Sequence, residues 1–174
     1  MAPLVRRSWA PRGEPPLILQ KAGHREKVSV AGALWLSPSR DRLGLFFETI
    51  INGYFDNEDV VGFLEDLMKQ LHKPAVVLWD GGTMHKGDPI DELVRRKAGR
   101  LTLEGLPAHT PELMPMEQGW SWLKYDRLCN FAPEDAVQLN ERVFDELQAI
   151  QDDQKLLQGF FHASDLPLPR ALLS

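Results

Sequence analysis

The chain has 174 residues, 43% hydrophobic and 26% charged, with 13 glycines, 13 prolines and a formal net charge of −5 at pH 7. That is one ordinary globular domain's worth of sequence, and it excludes collagen-like, low-complexity and wholly disordered chains. No apolar run reaches the roughly 18 residues of a membrane-crossing helix, residues 1–12 lack the apolar segment of a signal peptide, and the single cysteine, Cys129, excludes an intramolecular disulfide and a multi-cysteine zinc site.

In chain order, residues 6–16 (RRSWAPRGEPP) are turn-rich, punctuated by Pro11, Gly13, Pro15 and Pro16. Residues 27–36 (KVSVAGALWL) predict a strand, 37–42 a polar turn, and 43–55 (LGLFFETIINGYF) a second strand pairing back as a hairpin. Asn57 or Asp59 is expected to cap a helix running to Leu71, with Val60, Phe63, Leu64, Leu67 and Leu71 on one face. The short apolar run 75–79 (AVVLW) predicts a strand covered on both faces, ending in Asp80-Gly81-Gly82. Residues 88–98 predict a helix stopped by Gly99, and 100–106 (RLTLEGL) a further strand. A proline-rich loop fills 107–115, a helix 116–128, and a helical stretch runs from 133 to about 161, before a loose tail marked by Pro167 and Pro169. This order predicts an α/β fold with an antiparallel edge.

The acidic average speaks against a nucleic-acid partner, but its distribution does not. Residues 134–153 hold seven acids and one base, a net −6, which leaves +1 for everything else. Residues 1–27 carry six bases against two acids, and Arg95, Arg96, Lys97 and Arg100 form a second basic run. Each run reads as solvated surface or as phosphate contact, which needs local positive charge rather than a basic average.

Two carboxylates stand out. Asp80 follows a buried strand at its carboxyl end, where open α/β sheets bind ligands; a turn aspartate would sit there equally well. Glu117 opens the helix after the proline-rich loop, where a glutamate also complements the helix dipole. Helical spacing puts Glu117, Ser121 and Lys124 on a polar face and Met116, Trp120 and Leu123 on an apolar one. Two carboxylates from separate elements suit a divalent-metal site for phosphoryl transfer, since hard cations take oxygen ligands.

Three segments carry a resemblance. Residues 6–16 (RRSWAPRGEPP), 76–87 (VVLWDGGTMHKG) and 106–124 (LPAHTPELMPMEQGWSWLK), in this order, resemble the catalytic domain of DDE transposases of bacterial insertion sequences in the mariner superfamily. The resemblance implies a ribonuclease-H-like mixed sheet flanked by helices, two Mg²⁺ or Mn²⁺ ions in an intact site, and DNA cleavage and strand transfer at transposon ends. Asp80 matches the second catalytic carboxylate and Glu117 the third, both as metal ligands. His85 and Lys86 match the basic pair after the aspartate. Trp9, Arg12, Trp120 and Lys124 match positions of structural or DNA-facing character. His85, Lys86, Arg12, Lys124, Arg95 and Arg96 are thus the candidate DNA contacts.

The chain departs from this pattern in three places. Gly81 and Met114 stand where the family often has asparagine. The family's first Asp lies on a strand upstream of RRSWAPRGEPP, and by that spacing it falls before Met1, so the chain reads as lacking its first, central strand. Residues 1–128 are accordingly expected to be a partial catalytic domain and 129–174 its C-terminal helical extension. Unpaired interior edges predict poor stability or self-association, through a homodimer or an upstream transposase fragment, and little cleavage by the chain alone. The expected location is the cytoplasm, with no membrane partner. A non-catalytic DNA-binding remnant or regulator of transposition is the alternative. A haloacid-dehalogenase-like phosphatase would need Asp-x-Asp-Gly-Thr, and Leu78 occupies the place of its first Asp.

Overall fold

The computed structural model describes residues 5–7, 9–14, 17, 26–39, 41–80 and 88–166. Strands β1 (Val28–Leu36) and β2 (Leu43–Ile51) form an antiparallel hairpin in register from Val28↔Ile51 to Leu36↔Leu43. Ser37 closes its turn: its N–H donates to the Arg42 carbonyl, and its hydroxyl donates to Asp41 and accepts from the Arg42 N–H. β2 stops earlier than expected because Asn52 takes left-handed φ (54°) and its side chain accepts from the Lys27 N–H.

The hairpin is apolar on both faces. Val28, Val30, Leu34 and Leu36, with Leu43, Leu45 and Phe47, face the larger core. Ala31, Ala33 and Phe46 face the smaller one. The larger core is closed by α3 (Pro115–Trp122), α4 (Ala136–Ile150) and α5 (Gln154–His162). The helical stretch expected from 133 to 161 is two helices, capped separately by Asp135 on Gln138 N–H and Asp153 on Leu156 N–H. Their connecting turn covers the outer edge of β2. The Leu45 N–H donates to the Gln151 carbonyl, and the Gln154 side chain bonds both backbone groups of Leu43.

Helix α1 (Asn57–Leu71) has its apolar face where the spacing puts it, but its cap is Asp56. Asp56 and Asp59 form a capping box, each side chain accepting from the other end of the first turn. Strands β3 (Ala75–Trp79) and β4 (Leu101–Gly105) pair in parallel, Ala75↔Leu101 to Trp79↔Gly105. Val77, Trp79 and Leu103 pack on a core built by α1 and α2 (Asp88–Arg96). The other face of β3 is open: Val76 is 66% and Leu78 49% exposed. The expectation of a strand covered on both faces is therefore corrected. A run of five apolar residues is too short to reveal which side is covered.

The mixed pairing expected of the sheet is present, but as two separate pairs. Among the described residues no strand joins β1–β2 to β3–β4. The pairs meet through side chains, with Phe46 of β2 against Phe63 of α1 at 5.0 Å between ring centroids.

Candidate active site

Asp80 leaves the sheet one residue after β3, where the Trp79 carbonyl accepts from the Leu106 N–H and draws the end of β4 alongside. The chain then turns through the proline-rich loop. Thr110 Oγ1 donates to the Pro107 carbonyl at 2.7 Å. A single 3-10 turn, Pro111–Leu113, follows, and Met114 becomes the N-terminal cap residue of α3. Pro115 begins the helix, where its missing N–H costs nothing and its fixed φ suits the helix. Glu117 is the third helical residue, exposed, at the positive end of the helix dipole.

Helix α3 is seated on β1 by the absence of a side chain. A Cβ at Gly32 would lie 2.7 Å from the Trp120 ring and 3.4 Å from the Met116 methyl. Met116 and Leu123 are buried and Trp120 half-buried, while Glu117, Ser121 and Lys124 point outward, as the spacing predicts. Past Trp122 the helix widens into a π turn, Leu123–Arg127, with the Leu128 N–H reaching the Leu123 carbonyl. Glu146 of α4, 5% exposed, accepts from Arg127 in that turn and pairs with Arg142 at 2.7 Å. A buried carboxylate between two guanidiniums thus ties the end of α3 to α4.

Asp80 and Glu117 line one cavity of about 180 Å³, with Leu106, Pro107, Thr110 and Met114 among its walls. The two carboxylates come from different elements and different cores. Their oxygens fit a hard divalent cation that completes its shell with water or phosphate oxygens. Among the described residues no group of three or more His, Cys, Asp or Glu side chains stands ready to hold a metal.

Among the described residues, the other expected site residues do not line this cavity. Arg12 and Lys124 are exposed. Arg95 and Arg96 lie at the end of α2, Arg95 donating to the Asp91 carbonyl and Arg96 paired with Glu65 at 3.2 Å. Trp9 is fully exposed, and Arg6 nearby is tied to Asp126 and the Tyr125 carbonyl. His85, Lys86 and Gly81 lie outside the described residues. His109 and Thr110, which are not among the expected site residues, also line the cavity. The available signal was two polar residues enclosed by Pro107 and Pro111 just before the glutamate.

The DDE superfamily endonuclease family matches residues 2–139. In fold, the chain is similar to the mariner transposase Mos1. It matches the Mos1 paired-end complex with Mn at TM-score 0.62 and 13% identity, covering 98% of this chain and 49% of that one. It matches the Mos1 strand transfer complex at TM-score 0.57 and 13% identity, over 92% and 49%. A Mos1 paired-end complex with the left transposon end matches at TM-score 0.57 and 12% identity, over 92% and 50%. The chain therefore spans about half the length of the transposase chains it resembles. No curated protein matches it in sequence. The α/β architecture is the ribonuclease-H-like one of the Mos1 catalytic domain. Among the described residues no helix is long and apolar enough to cross a membrane.

Proposed function

The chain belongs to the DDE superfamily of endonucleases, and from that premise we propose that it serves DNA transposition as the catalytic domain of a transposase. Its substrate is DNA at transposon ends, and its cofactor is Mg²⁺ or Mn²⁺. The observation that carries this reading is the meeting of Asp80 and Glu117 in one cavity at the carboxyl end of β3. These two side chains would hold the cation. When bound, such ions activate the attacking oxygen and stabilise the leaving one. The residues of the chain do the positioning. Gly32 and Trp120 set the height of α3, and the α3 dipole faces the site. The loop between Pro107 and Pro115 forms one wall of the cavity.

The proposal includes 1–128 as the catalytic part, 129–174 as its helical extension, and His85, Lys86, Arg12, Lys124, Arg95 and Arg96 as contacts to DNA. It also includes association with a second copy or with an upstream transposase fragment. The exposed apolar face of β3, Val76 and Leu78, supports such association. A non-catalytic role in DNA binding is the second reading, favoured by exposed cations that stand outside the cavity.

The test is Mn²⁺ binding read from the loss of the free-ion electron paramagnetic resonance signal, alongside DNA binding by fluorescence anisotropy. Asp80→Ala and Glu117→Ala are expected each to weaken Mn²⁺ binding by roughly tenfold or more. DNA affinity that survives EDTA, with Mn²⁺ binding unchanged in both variants, would establish the non-catalytic reading instead. In either case DNA affinity falls with salt, because released counterions drive it.

A further inference from the structure

Among the described residues, four other than glycine take left-handed φ: Asn52 (54°), His72 (51°), His109 (61°) and Asn130 (60°). Three have a local reason. Asn52 accepts from the Lys27 N–H, Asn130 accepts from the Arg6 N–H, and His72 is the C-terminal cap of α1, its N–H donating to the Met68 carbonyl. His109 ends no helix, and its turn is already closed by the Thr110 hydroxyl on the Pro107 carbonyl. Glycine or asparagine would hold this turn with less strain, since a left-handed backbone costs a larger side chain on the order of 1 kcal/mol. What distinguishes the position is its place: His109, exposed, is among the residues that line the cavity shared by Asp80 and Glu117. Pro107 and Pro111, two residues to either side, each fix their own φ and limit the backbone freedom of the loop that carries His109.

A site with two carboxylates and a phosphate-bearing substrate needs a donor facing the phosphate oxygens that the cation does not take. We infer that His109 is a DNA-contacting residue of this cavity, its ring N–H donating to a phosphate oxygen of the strand held there. This inference rests on the function proposed above. His109 is a neighbour of the scissile phosphate and is not a metal ligand.

The experiment is carbethoxylation of histidines by diethyl pyrocarbonate, mapped by mass spectrometry with and without a random-sequence duplex in Ca²⁺. It is paired with anisotropy titrations of His109→Gly and His109→Arg. Glycine keeps the left-handed turn and removes the imidazole, and arginine restores a donor. DNA is expected to protect His109 and leave His72 and His162, both exposed, modified as before. Affinity is expected to fall about fivefold to tenfold in His109→Gly and to recover in His109→Arg, with His109→Arg melting like the wild type and His109→Gly no lower than it. Equal modification of His109 with and without DNA overturns the inference, as does wild-type affinity in His109→Gly. If the wild-type chain does not bind the duplex at all, the proposed function falls together with the inference. Binding without His109 protection sinks the inference alone.

Discussion

The hairpin β1–β2 and the parallel pair β3–β4 are held in different ways. The hairpin is packed on both faces, and the outer edge of β2 is covered by Gln151 and Gln154. The parallel pair is packed on one face only, against α1 and α2, and leaves Val76 and Leu78 in solvent. Each supplies one carboxylate: Asp80 leaves β3, and Glu117 stands on a helix seated on β1. The cavity is therefore a joint between two units. Its geometry depends on their docking as much as on either core.

That docking runs through Phe63, 8% exposed and in contact with Phe46 across the joint. Phe63→Ala should cost about 3–4 kcal/mol, the largest effect expected here. Calorimetry should show thermal unfolding splitting into two transitions, with the β3–β4 unit melting first. A single transition with a loss under about 1 kcal/mol would mean that the units are joined elsewhere. The next effect sits on the other side of the joint. Gly32→Ala pushes a methyl into Trp120 and should cost about 1–3 kcal/mol. It should also weaken Mn²⁺ binding, because α3 carries Glu117. Trp120→Phe in the same chain should restore most of both losses. If Gly32→Ala melts and binds like the wild type, α3 is not held by this contact.

The same division explains what could be read from the sequence. The hairpin, α1 and the faces of α3 were legible because each rests on spacing within one element. Asp80 and Glu117 were legible as candidates because both mark element ends. What was not legible depends on distant partners. The π turn after Trp122 is held through Arg127 on Glu146, nineteen residues away, and no local pattern announces it. The break between α4 and α5 has no glycine or proline; α4 ends at Ile150 with Gln151 as its cap, and Asp153 caps the next helix. Asp56 precedes two equally good cap residues, Asn57 and Asp59, so the cap was expected one residue or more too late. His109 lay in a loop, where the sequence shows prolines but not the sign of φ.

Met114 sharpens the comparison at the site itself. It is the N-terminal cap residue of α3, and its side chain makes no cap hydrogen bond. A capping side chain there would satisfy a free N–H of the first turn. Met114→Asn should stabilise the chain by about 1 kcal/mol, a rise in Tm of about 2–4 °C. Denaturant titration and melting check it. A loss of stability would show that the methionine's contacts with the cavity wall outweigh the missing cap.

The smallest expected effect lies where the hairpin meets α1. Glu48 of β2 is half-buried, and its carboxyl titrates above the usual glutamate range, first because burial penalises its charge and then because Asp66 and Asp59 stand near. The folded state thus holds this proton more tightly than the unfolded one. The stability it contributes is complete below the ordinary glutamate value of 4.5 and is lost as pH rises through the raised folded value. At neutral pH the ionised Glu48 is therefore a liability, and Glu48→Gln should raise Tm by about 1 °C at pH 7, a small gain because solvent screens a group this accessible. The gain should vanish at pH 4, where the wild-type side chain is itself protonated. An equal gain at both pH values would assign the effect to packing of the amide instead of to charge at the seam between the two units.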